Sequence, residues 1–96
     1  MPLTLDALTI LDAIERRGSF ARAAEELARA PSSLTYAVQQ MEADLDVLLF
    51  DRSGHRARFT PAGRVLLEEG RALLAAANAL VHKTRQVAGG WEMGFT

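Results

Sequence analysis

Apolar residues recur along this chain at helical rather than alternating spacing. Leu5, Leu8, Leu11 and Ile14 fall at every third position and predict a first helix over about Thr4 to Arg17. Asp6 at its start and Arg16-Arg17 at its end suit the helix dipole, and Gly18 stands where a C-terminal cap places glycine. Ser19 can cap a second helix with Phe20, Ala23, Ala24 and Leu27 inward, ending near Ala28 or Arg29. The paired alanines are small enough for another helix to cross closely. Pro31 fits the first turn of a third helix, where a missing N–H costs nothing. Leu34, Val38, Met41 and Leu45 are spaced four, three and four, which marks its buried stripe. Asp46 ends it, because aspartate tolerates the left-handed conformation better than most residues.

The pattern then changes. Leu48-Leu49-Phe50 is a short apolar run, Asp51 to Arg56 is a charged turn, and Ala57-Arg58-Phe59-Thr60 alternates as a strand does. A small two-stranded hairpin is expected. Thr60-Pro61 repeats the cap-then-proline signal and opens a long helix reaching about Ala88, where Gly89-Gly90 is expected to stop it. Leu66, Leu73, Leu80 and Val87 lie seven apart along it, as do Leu67, Leu74, Val81 and Ala88, with the small residues Gly70, Ala77 and Thr84 between. Its first leucines, Leu66 and Leu67, can pack on the domain. Past Leu73 the helix outruns so small a body, and self-association through Leu66, Leu73, Ala77, Leu80, Val81 and Val87 is the expected way to cover the stripe. The order of elements is that of a winged helix-turn-helix: mostly α, three helices and a two-stranded wing over residues 1–60, a linker helix over 61–88, and a hinge or truncated end over 89–96.

Composition bounds this picture. Ninety-six residues make one domain, and with no cysteine there is no disulfide framework, thiolate zinc site or cysteine nucleophile. No apolar run approaches the roughly 20 residues a bilayer requires, so no membrane role is expected. Met1 to Asp6 has no signal-peptide pattern, so the expected compartment is the cytoplasm. A net charge of −1 argues at first against a nucleic-acid partner. The distribution reverses that. Met1 to Phe50 holds eight acids and four bases, whereas Asp51 to Arg64 holds one acid, Asp51, and four bases, Arg52, Arg56, Arg58 and Arg64.

The chemistry follows from two surfaces. Opposite the apolar stripe of the third helix lie Ser32, Thr35, Tyr36 and Gln39, and no charged residue occurs between Pro31 and Met41. A polar, uncharged stripe suits the donors, acceptors and thymine methyls of a DNA major groove, where acids would be repelled by phosphate. The wing arginines suit phosphate or a narrow minor groove. Each feature also has a plainer reading. The stripe can be a solvated helix face, the Tyr36 ring can pack beside the wing, the arginines can form a solubilising loop, and Arg64 can cap or pair within the long helix. Glu42 fits an internal salt bridge or cap. His55 and His82 have no metal-ligand spacing, and Ser19, Ser32, Ser33 and Ser53 have no base partner, so neither a zinc site nor an enzyme is expected.

Gly18-Ser19-Phe20, Ala23-Ala24-Glu25-Glu26-Leu27, Glu42, Val47-Leu48-Leu49-Phe50-Asp51-Arg52 and Phe59-Thr60-Pro61-Ala62-Gly63 together resemble the N-terminal domain of LysR-type transcriptional regulators. The resemblance runs from about Leu5 to Ala88. It implies a homodimer, or a tetramer at full length, that reads an interrupted palindrome in double-stranded DNA in the cytoplasm, on the bacterial nucleoid. The linker helices would pair antiparallel. It implies base contacts at Pro31, Ser32, Thr35 and Tyr36, to which the stripe adds Gln39, and backbone or wing contacts at Ser19, Ser33, Arg52, His55, Arg56 and Arg58. No cofactor is implied for this segment. A small-molecule effector is implied for a C-terminal domain that would follow. The family commonly carries serine at Ala30, glutamine at Pro31 and Ala37, serine at Thr35 and glycine at Asp46. Two further readings stay open: a helical protein-interaction module that uses the same face, supported by the acidic first half, and the similar DNA-binding half of a molybdate-responsive regulator.

Overall fold

A computed structural model describes residues 3–51 and 57–93, with side-chain placement through residue 89. Five elements form the body: α1 (Leu5–Arg17), α2 (Phe20–Leu27), α3 (Pro31–Leu45), β1 (Phe50–Asp51) and β2 (Arg58–Phe59). A sixth, α4 (Pro61–Met93), leaves it. The helix boundaries follow their punctuation. The Thr4 side chain accepts from the Ala7 N–H at 3.0 Å, and Gly18 closes α1 at φ 84° with its N–H on the Ile14 carbonyl. Ser19 caps α2 by accepting from the Arg22 N–H at 3.1 Å. Asp46 closes α3 in the left-handed region at φ 56°, as its residue type predicts.

The core lies where α1 meets α2, α3 and the first turns of α4. Ile10, Leu11, Ile14, Leu34, Leu49, Leu67 and Val38 are its fully buried large side chains. One expected member departs. Leu5 is exposed, and the inner face of α1 is carried by Ala7, Leu8, Ile10, Leu11, Ala13 and Ile14. An every-third spacing drifts around a helix of 3.6 residues per turn, so the first position of the series rotates out to solvent. Leu45 is only half-buried at the end of its stripe.

The wing is shorter than the alternating pattern predicts. β1 and β2 pair antiparallel over two residues each, Phe50 with Phe59 and Asp51 with Arg58. The Leu49 N–H that would extend the pairing is held by the Glu42 carboxylate, so the ladder closes at Thr60. The Thr60 N–H donates to the Leu49 carbonyl at 3.0 Å, its hydroxyl donates to the Leu48 carbonyl at 2.6 Å, and its Oγ1 accepts from the Gly63 N–H at the start of α4. An aromatic row fastens the wing to the body: Phe20 meets Phe50 edge-on at 5.2 Å, and Phe50 meets Phe59 at 4.5 Å.

The long helix corrects one expectation outright. Gly89-Gly90 does not stop α4, which continues to Met93. Glycine ends a helix when the chain turns into the left-handed region, as it does at Gly18; Gly89 stays helical. A glycine in a helix interior costs about 1 kcal/mol, too little to break a helix of 33 residues. This helix gives the molecule its 62 Å long axis.

Candidate nucleic-acid interface

The apolar stripe of α3 sets its outer face by default. With Leu34, Val38 and Met41 buried against α1 and α2, the helix turns Pro31, Ser32, Tyr36 and Gln39 outward, all exposed, with Thr35 half-exposed beside them. Thr35 Oγ1 donates to the Pro31 carbonyl at 3.2 Å. Its methyl and remaining lone pair stay available. Tyr36 is 68% exposed, so its ring is not tucked into the described body. The structure therefore gathers the five predicted base-reading residues on one uncharged face.

The predicted backbone-contacting residues divide. Ser19 sits at the start of α2, where its oxygen already serves as the cap. Ser33 is half-buried in the first turn of α3 and accepts from Arg29 Nη2 at 3.0 Å. Arg58 is exposed on β2 and makes no ion pair among the described residues. Arg52, His55 and Arg56 lie outside the described residues.

Glu42 explains how the wing starts where it does. It is buried, and its Oε2 accepts from the Leu49 N–H at 2.7 Å and the Phe50 N–H at 3.4 Å. A carboxylate near the end of α3 thus pins the first strand, which is the internal role its position predicts.

The basic segment is less free than its arithmetic implies. Arg64 pairs with Glu15 of α1 at 3.2 Å and lies 5.3 Å from the centre of the Phe59 ring. It couples the long helix to the body and the wing, not to its own helix. A second tie is Asp12, which accepts from Arg16 at 2.8 Å and from Arg71 of α4 at 2.7 Å. Burial pushes the Asp12 carboxyl up, but the donors from Arg16 and Arg71 outweigh it and hold the group below its ordinary value. Arg16 also donates to both oxygens of Glu26, which lowers the Glu26 carboxyl.

Sequence reasoning missed two cations. Arg29 bridges Asp6 and Ser33, a contact across 23 residues that no local spacing signals. Arg22 is exposed in the first turn of α2, one turn from Ser19, and makes no ion pair among the described residues. Its signal was visible as a base following a cap, but the net acidity of the first half obscured it.

Along α4, Leu67 is buried and Leu66 is half-buried against the body. Leu73, Leu80, Val81 and Val87 are exposed, and Ala77 lies among them half-exposed. Among the described residues no helix is long and apolar enough to cross a membrane, and no group of acids and histidines could hold a metal ion.

A family profile described as bacterial regulatory helix-turn-helix protein, lysR family, matches residues 5–64. The chain is 58% identical over 94 residues to a probable HTH-type transcriptional regulator, YhaJ, of Escherichia coli K12, covering 98% of this chain and 32% of that protein. It is 49% identical over 88 residues to YeeY, an uncharacterized HTH-type transcriptional regulator of the same organism, covering 92% and 28%. The chain thus spans about a third of the length of these relatives. Among solved structures it superposes on the BenM DBD/catB site 1 DNA complex with a TM-score of 0.88 at 27% identity, covering 92% of this chain and 95% of that one. It superposes on the CbnR DBD–DNA complex with a TM-score of 0.83 at 31% identity, covering 90% and 99%. Both relatives are named as HTH-type transcriptional regulators. The winged helix-turn-helix, its long trailing helix and these matches agree: the chain belongs to the lysR family of bacterial regulatory helix-turn-helix proteins.

Proposed function

We propose that this chain is the DNA-reading part of a bacterial transcription regulator that binds an interrupted palindrome as a homodimer. The observation that carries it is the outer face of α3. Ser32, Thr35, Tyr36 and Gln39 are turned outward without one charge among them, in a half-chain that holds twice as many acids as bases. A major groove about 12 Å wide admits such a helix and offers it only polar edges and methyl groups. Pro31 to Gln39 would read bases. Ser19, Ser33, Arg58 and the wing residues Arg52, His55 and Arg56 would meet phosphate or the minor groove.

The second copy follows from α4. An exposed apolar stripe over Leu73, Ala77, Leu80, Val81 and Val87 is covered when two such helices pair. Leu66 contributes to that seam only with the part of its side chain the body leaves open. The pairing would place two recognition helices on successive major grooves, about 34 Å or a multiple apart. In the longer protein a further domain would sense a small-molecule effector. The site of action would be the bacterial cytoplasm, on the nucleoid, and assembly to a tetramer belongs to the full-length protein.

Fluorescence anisotropy of a labelled AT-rich interrupted palindrome against a scrambled duplex, over a salt series, tests this. A steep fall of affinity with salt, together with preference for the palindrome, is expected. Absence of binding at low salt would overturn the reading and return the α3 face to a protein partner.

A further inference from the structure

The recognition helix begins without a side-chain cap. Ala30 occupies the N-cap in extended backbone, and no side chain accepts from the first-turn amides. What holds that turn comes from the residue before it. Arg29 Nη1 donates to both carboxylate oxygens of Asp6, at 3.2 and 2.9 Å, and Nη2 donates to Ser33 Oγ at 3.0 Å. Asp6 lies in the first turn of α1 and Ser33 in the first turn of α3. One guanidinium therefore spans the two helices at the point where α3 presents its reading face. The preceding turn aims it: Ala28 adopts φ 55°, and the Arg29 N–H donates to the Ala24 carbonyl at 3.0 Å.

We propose that Arg29, held by Asp6, is a positioning residue for DNA recognition, setting the first turn of α3 and the Ser33 hydroxyl in place of the missing cap. The proposal rests on the DNA-binding reading above. The hydrogen-bond inventory supports it. Ser33 Oγ spends a lone pair on Arg29, so its own hydrogen is left to donate, and a phosphate oxygen accepts and never donates. The planar fork of arginine can hold two partners in fixed directions, which a lysine ammonium cannot. Pro31, Ser32 and Thr35 lie within two residues of Ser33 along the helix, so a shift of this turn moves three of the base-reading positions together.

The sign of the Asp6 effect decides the matter. Asp6 is an exposed acid next to a surface meant for phosphate. If it acts only through its charge, removing that charge tightens binding to every DNA. If it holds Arg29, removing it loosens binding, and more on the correct sequence than on any other.

The experiment uses the tightest duplex selected by the wild-type chain from a randomised library, beside a scrambled duplex, with dissociation constants and melting temperatures for each variant. Asp6→Asn and Arg29→Lys are expected to weaken binding to the selected duplex by about fivefold, the upper range for an exposed ion pair, and the scrambled one by clearly less. Asp6→Glu is expected to retain the preference, and all melting temperatures to stay within a few degrees. Tightening of Asp6→Asn on both duplexes by one factor overturns the proposal. So does equal weakening on both with a lowered melting temperature, which would mark loss of fold instead of position. A wild-type chain that selects no duplex and shows no salt dependence overturns the DNA-binding reading itself, and the proposal with it.

Discussion

A Cβ placed on Gly63 would stand 2.1 Å from the carbonyl oxygen of Leu49. The first turn of α4 approaches the backbone leading into the wing this closely, and only hydrogen fits between them. One turn pair further along, a Cβ on Gly70 would meet Leu8 Cδ2 at 2.7 Å, and Leu8 is itself buried. Gly89 meets nothing within 4 Å.

Three glycines in one helix should therefore respond differently to alanine. Gly63→Ala has a backbone carbonyl in its way and is expected to cost 3 kcal/mol or more, on the order of the largest overpacking losses. Gly70→Ala is expected to cost about 1–2 kcal/mol, since Leu8 can turn but has little room. Gly89→Ala is expected to gain about 0.5–1 kcal/mol from helix propensity. Urea unfolding of the three variants gives the order, and equal effects at positions 63 and 89 would sink the account.

Ala28 and Asp46 both hold left-handed backbone, at φ 55° and 56°. A side chain there costs about 1 kcal/mol, and glycine removes that cost. Ala28→Gly is expected to raise the melting temperature by a few degrees, and Asp46→Gly by less, since aspartate tolerates the region better than alanine. A fall in both would mean that unfolded-chain entropy outweighs the relief.

Acid should loosen the attachment of α4 to the body. Asp12, bound by Arg16 and Arg71, has its carboxyl lowered, as does Glu26 beside Arg16. A carboxylate whose folded pKa is depressed contributes stability in full above the unfolded value of about 4 and loses it as pH falls through the folded value. Melting temperature should then be nearly level in this respect from pH 5 to 8 and fall below about pH 4. Asp12→Asn should flatten that acid limb. An unchanged limb in the variant would show that Asp12 is not the group concerned.

Leu80 is 65% exposed and far along α4 from the body, so its replacement should leave the fold alone. Leu80→Glu is expected to change folding stability by less than about 0.5 kcal/mol yet shift sedimentation from dimer toward monomer. A dimer of undiminished strength would place the seam elsewhere.

On DNA, Thr35→Ala should cost about 1–3 kcal/mol on the preferred site and relax discrimination there, whereas Arg58→Ala should weaken all sequences alike and reduce the salt slope by about 1. Equal losses on preferred and scrambled duplexes for Thr35→Ala would remove it from base reading.

Local chemistry was enough to place every helix start and all but one helix end. Thr4, Ser19, Pro31 and Thr60-Pro61 begin the helices, and Gly18 and Asp46 finish two of them, because capping depends on residues within one turn of each other. The outer face of α3 was legible for a related reason: once Leu34, Val38 and Met41 face inward, a period of 3.6 turns Ser32, Tyr36 and Gln39 outward. The continuation of α4 through Gly89 was not legible, since glycine is compatible with either outcome and its neighbours decide. The ties from Arg29 to Asp6, from Arg71 to Asp12 and from Arg64 to Glu15 join residues far apart in the chain. Their pairing depends on how α1 lies against α3 and α4, and that arrangement is set by the packed core and by the bare flanks of Gly63 and Gly70. Spacing along a chain specifies the faces of a helix; only the assembled helices specify which charges meet.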